Sequence, residues 1–142
     1  MQDTGSAMIN LSRVREWLSK HEGRTDWMYL DTVGKVTVGV GKMLPDAIAA
    51  LTFRWEIAGQ RADPATVRAD YSNVAAQLPA KVASWYKTFT RCRMPDAEID
   101  RALDSHVQGV IDGLRQYQLF RDTMTDNQQL GMIDMAYNLG IN

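Results

Sequence analysis

A mostly helical α+β fold is what this sequence predicts, on three observations. Apolar residues recur at three-and-four spacing through most of the chain, most clearly from Pro95 to Leu114. One short stretch, Met28 to Val40, switches to the strand period of two around a turn bearing glycine. The 142 residues are 45% hydrophobic, which suits one compact domain with a real core.

The first helix is predicted from Asn10, whose side chain can cap it, with Leu11, Val14, Trp17, Leu18 and His21 along one side. Gly23 is placed to end it, which leaves Glu22 in the last turn. Met28 to Leu30 and Lys35 to Val40 are β-prone runs around Asp31-Thr32-Val33-Gly34, a hairpin with Gly34 as its left-handed residue. Val36, Val38 and Val40 face one way and Thr37 the other, where Gly39 and Gly41 leave room for a ligand to approach.

From Pro45 the pattern is helical again. Ile48, Leu51, Trp55 and Ala58 make a stripe that stops at Gly59. Asp63-Pro64, a cap followed by a first-turn proline, opens a helix carrying Val67, Tyr71, Val74 and Leu78 as far as Pro79. Val82, Trp85, Tyr86 and Phe89 predict a short helix. The long helix after Pro95 keeps Ile99, Leu103, Val107, Val110, Ile111 and Leu114 on one face for about 20 residues, or ~30 Å. Thr125 to Gln128 is a capping box opening the last helix, with Leu130, Ile133, Met135 and Tyr137 inward. Trp17, Trp55 and Trp85 are expected in the core; Trp27 is read as core, with a place near a cleft as the alternative. Residues 1–8 are expected to be a flexible tail.

Composition excludes several function classes. A formal net charge of −1 gives no reason to expect nucleic acid or an anionic membrane as partner. No apolar run approaches the roughly 20 residues that span a bilayer. The opening MQDTGSAM lacks the succession of a signal peptide, so synthesis in the cytoplasm is expected. Cys92 is the single cysteine and reads as a spare thiol. His21 and His106 stand far apart with no ligand cluster, which argues against zinc; His21 reads as a solvated helix end and His106 as a core or boundary residue. Gly39-Val40-Gly41-Lys42 fits neither a P-loop nor a dinucleotide fingerprint, and no nucleophile elbow is present.

What remains is the spacing of Glu22, Asp31 and Thr37. Glycosidic bonds are cleaved between an acid that protonates the leaving oxygen and a carboxylate that activates water or attacks the sugar. The acid must keep its proton near neutral pH, and a helix C-terminus disfavours a carboxylate's charge. Asp31, in a polar turn, suits the ionised role, and a threonine hydroxyl opposite can help to hold the water. Spacing alone leaves a second reading open: surface charges at an ordinary helix–hairpin joint.

The residues that carry a family likeness are Glu22, Asp31 and Thr37, spaced Glu-x8-Asp-x5-Thr in HEG and YLDTVGKVTVGVG, and TDNQQLGMIDMAYNLG over residues 125–140. Both blocks, in this order and joined by a long helix, resemble the phage-type lysozymes, the muramidases of glycoside hydrolase family 24. The resemblance implies a two-lobed lysozyme-like fold, with a small β-hairpin lobe and a long helix connecting it to a helical lobe over residues 9–142. It implies hydrolysis of the β-1,4 bond between N-acetylmuramic acid and N-acetylglucosamine in peptidoglycan. Glu22 would be the general acid, Asp31 and Thr37 would position water, and Tyr137 and Asn138 would be sugar contacts, Tyr137 with core packing as its alternative. No metal or cofactor is expected.

The partner implied is the peptidoglycan glycan strand, with an immunity or delivery protein beside it. The site of action would be the periplasm or cell wall, reached through a holin or a secretion system, as for an endolysin or an antibacterial effector. The chain departs from the family in three places. Lys42 stands where the family has histidine. Residues 45–93 do not align and are expected to form an added helical insertion. The family's further C-terminal helices have no counterpart after Gly140. These departures keep an alternative open: a catalytically inactive muramidase-like module for wall binding or protein interaction.

Overall fold

The computed structural model describes residues 9–140, so the tail expected over residues 1–8 lies outside the described residues. Helix α1 (Leu11–Glu22) leads into strands β1 (Thr25–Leu30), β2 (Val36–Gly39) and β3 (Lys42–Met43). Then follow α2 (Ala47–Leu51), β4 (Glu56–Ile57), β5 (Gln60–Arg61), α3 (Pro64–Ala75) and α4 (Ala83–Tyr86), which runs into a 3-10 turn over Lys87–Phe89. The long α5 (Asp96–Gln116) and α6 (Asp126–Leu139) complete a mostly helical α+β chain. Among the described residues no helix is long and apolar enough to cross a membrane. The chain divides into two compact units, residues 22–102 and the two flanking stretches up to His21 and from Leu103.

In the unit of residues 22–102, β1, β2 and β3 form an antiparallel sheet in that order. Tyr29 pairs with Thr37 and Leu30 with Val36, and a bulge interrupts the register between Thr25 and Tyr29. The predicted turn forms because Asp31 Oδ1 accepts the backbone N–H groups of Val33 (3.0 Å) and Lys35 (2.8 Å). Gly34 takes the left-handed φ of 85° that this turn requires. Met28, Leu30, Val36, Val38, Val40 and Leu44 are buried, together with Trp55, Val67, Val74 and Tyr86. Each large apolar side chain so buried contributes about 1.5–3 kcal/mol.

The long helix expected between Pro45 and Gly59 does not form. Asp46 caps a helix of five residues by accepting the Ala49 N–H, and Ile48 is 72% exposed rather than inside. Trp55 is buried as expected, but past the end of that helix, with its indole N–H donating to the Ala50 carbonyl at 2.7 Å. Beyond it the chain turns back as the β4–β5 hairpin, with Ala58 (φ 51°) and Gly59 (φ 78°) both left-handed at the turn. Two positive φ values are the signature of the tight turn whose twist matches paired strands. Residues 45–93 therefore carry a hairpin as well as helices.

Asp63 caps α3 as predicted, accepting the Thr66 N–H. The helix ends at Ala75, so Leu78 and Val82 lie exposed on the following loop. Trp85, expected in the core, is also exposed, because α4 is a single turn and buries only Tyr86. Asp70, 1% exposed, accepts the N–H groups of Arg91 and Cys92 through both carboxylate oxygens and so ties α3 to the strand-like segment before α5. The Cys92 thiol is buried beside it. Burial, then the Asp70 charge, push its pKa up to about 12.

In the other unit, Asn10 caps α1 by accepting the Ser12 N–H at 2.8 Å. Val14, Leu18, Leu103, Val107, Val110, Ile111, Leu114, Leu130 and Ile133 are buried. The capping box of Thr125 and Gln128 forms with both reciprocal bonds. Two inward expectations are corrected here. Trp17 is 39% exposed and stacks on His21 with ring centroids 3.9 Å apart, so the buried stripe of α1 narrows to Val14 and Leu18. Met135 is also exposed, on the outer side of α6.

Candidate active site

Glu22 is the last residue of α1, since Gly23, with φ 86°, takes the chain out of the helix. Arg24 fixes the exit: its guanidinium donates to Asp100 at 2.9 Å and to the Asp96 carbonyl at 3.2 Å, at the start of α5. The chain then runs as β1 to Asp31 and returns as β2 through Thr37. Glu22, Asp31 and Thr37 all line one cavity of about 390 Å³. Tyr29, Leu30, Thr32, Gly41, Lys81 and Ala83 complete its lining.

The hydrogen bonds at this cavity set which atoms remain available. Asp31 spends Oδ1 on its own turn, and Oδ2 has no partner among the described residues. Thr37, only 3% exposed, donates its hydroxyl hydrogen to the Lys35 carbonyl at 2.8 Å. Its lone pairs are left to accept a hydrogen from a visitor. Tyr29 faces the same side as Thr37 across the strand pair. Burial first, then the charges of Asp31 and Glu22, raise its pKa above the usual phenol value. The phenol therefore stays protonated, a donor within reach of both carboxylates' fields.

Two of the cavity's residues escaped the sequence reading for different reasons. Tyr29 had a signal, since it lies on the hairpin strand that leads into the Asp31 turn, and its partner across the strand pair is Thr37. Lys81 had none, because it comes from a loop far along the chain. The glycine face of β2 is less open than expected. A Cβ on Gly39 would lie 3.5 Å from the Ile99 side chain, so only Gly41 opens on the cavity. Trp27 is not among the lining residues, but its indole N–H donates to the carbonyl of Ala83, which is, at 2.8 Å.

Tyr137 and Asn138 belong to the other unit and are not among the cavity's lining residues. Tyr137 is buried with its ring 4.5 Å from that of His106, and the Asn138 amide donates to the Asp134 carbonyl of its own helix. His21 is exposed, with Nδ1 2.8 Å from the Trp17 carbonyl. No family model, curated protein or solved structure matches the chain.

Proposed function

We propose that the chain is a peptidoglycan hydrolase that cleaves the β-1,4 bond between N-acetylmuramic acid and N-acetylglucosamine. The observation that carries this reading is the convergence of Glu22, Asp31 and Thr37 on one cavity. The family resemblance of the two sequence blocks supports the substrate. It alone supports Tyr137 and Asn138 as sugar contacts, and export through a holin or secretion system to act on the wall.

In the reaction, Glu22 gives its proton to the glycosidic oxygen as the bond to C1 breaks. A water donates one hydrogen to Thr37 Oγ1, whose own hydrogen is held by Lys35, and the other to Asp31 Oδ2. Its lone pairs then face C1. As the new C1–O bond forms, Asp31 accepts the proton. Attack by water on the face opposite the leaving oxygen inverts the anomeric centre. Glu22 regains its proton from solvent, and Asp31 returns one.

The test is digestion of purified peptidoglycan by the parent and by Glu22→Gln, with products read by mass spectrometry and by proton NMR at early times. New reducing ends from the parent alone, first seen as the α-anomer, are the expected result. Anhydromuramyl ends would make the protein a lytic transglycosylase. Binding without cleavage by the parent would leave the inactive wall-binding module.

A further inference from the structure

Among the described residues the cavity has one cation in its wall, Lys81, and the structure has built a support for it. The loop from Leu78 to Val82 between α3 and α4 is anchored at three points. The Tyr86 hydroxyl donates to the Leu78 carbonyl at 2.6 Å and accepts the Lys81 N–H at 3.4 Å. The Trp27 indole N–H holds the Ala83 carbonyl. Pro79 sits against Gly34 of the hairpin turn, 3.7 Å from where a Cβ would lie. Between these anchors Ala80 takes a left-handed φ of 66°, a conformation that a non-glycine residue keeps only where its surroundings impose it.

The Lys81 ammonium lies 5.6 Å from the centroid of the exposed Trp85 ring. Among the described residues it makes no ion pair with a carboxylate, Glu22 and Asp31 included. An ammonium held by an aromatic face, at the rim of a cavity and without a counter-ion, suits an incoming anion.

We propose that Lys81 is a specificity residue that pairs with a carboxylate on the muramyl side chain or stem peptide of the bound glycan, and that Trp85 is the positioning residue for its ammonium. The proposal rests on the hydrolase reading for its substrate. It makes the enzyme select peptide-bearing, anionic strands over neutral N-acetylglucosamine polymers.

The test compares the parent with Lys81→Gln, Lys81→Arg and Trp85→Leu on soluble peptide-bearing glycan fragments and on chitooligosaccharide. Binding is measured in the Glu22→Gln background and KM and kcat in the active one. Loss of one charge-assisted contact predicts a KM and a Kd raised on the order of tenfold for the peptide-bearing fragment in Lys81→Gln. Lys81→Arg should recover most of this, Trp85→Leu should lose part of it, and chitooligosaccharide affinity should change far less. The difference between parent and Lys81→Gln should shrink as salt rises. Equal losses on both ligands, or no loss on either, would overturn the proposal, as would a shifted pH profile at unchanged KM, which would make Lys81 a partner of Asp31. Cleavage by the parent with an unaltered Lys81→Gln leaves hydrolysis standing and removes the subsite. Weakened binding by Lys81→Gln without any cleavage leaves the subsite standing and removes hydrolysis.

Discussion

Thr37 shows how much one hydroxyl can decide. Its hydrogen is already given to Lys35, so its contribution at the cavity is as an acceptor, a role that serine shares and valine lacks. Thr37→Ser should therefore stay within a few-fold of the parent, while Thr37→Val should lower kcat by about 10- to 100-fold with KM little changed. Steady-state digestion of a soluble glycan checks both, and unchanged turnover in Thr37→Val would remove the residue from the mechanism. Glu22→Gln keeps the shape of the side chain and loses its proton. It should cost about 10²–10⁴ in rate while the thermal midpoint stays at the parental value. Cys92 makes the opposite point, a nucleophile kept out of use. Its thiol pKa rises from 9.0 to about 12 in the folded chain. Since the unfolded thiol ionises first, stability should fall as pH rises from about 9 towards 12 and be unaffected by this group below that range. At pH 8 a thiol reagent should label the native protein only as fast as it opens, which a labelling time course with and without denaturant would show.

At the scale of elements, Asp70 holds more than its own helix. Asp70→Asn turns one acceptor into a donor facing the Arg91 and Cys92 N–H groups, and should destabilise the fold by about 2–3 kcal/mol in a urea titration. This bond was invisible in the sequence, as are most contacts that join distant segments. What was legible is local. The Asn10, Asp63 and Thr125 caps, the Gly34 turn and the apolar face of α5 all depend on residues within a few positions of one another, and all were observed. Ile48, Leu51, Trp55 and Ala58 also have helical spacing, yet Trp55 lies past the end of α2 and Ala58 sits left-handed in a hairpin turn. Alanine carries no turn signal of its own, so the hairpin turn at Ala58 was not legible. The same distinction divides the cavity: Glu22, Asp31 and Thr37 lie close in sequence and could be read together, and Lys81 could not.

At the scale of the molecule, the two units differ in how the chain makes them. Residues 22–102 are continuous, whereas the other unit joins the chain's opening helix to its last two across that whole stretch. Bringing those ends together means closing a loop on the order of 80 residues, an entropy that must be met before the contacts form. Folding should therefore begin in the continuous unit. Val38→Ala should slow refolding, and Leu18→Ala should mainly speed unfolding, with stopped-flow chevrons as the check. Following such events needs a signal, and the hydrogen bond from Trp27 to Ala83 supplies one. The indole of Trp27 is tied to Ala83, one of the cavity's lining residues, and the Lys87 ammonium lies 4.8 Å from its ring centroid. A displacement of Ala83 should change the chemical shift of that one indole proton. Titrating a glycan fragment while following that resonance should therefore report any movement of Ala83 without a label.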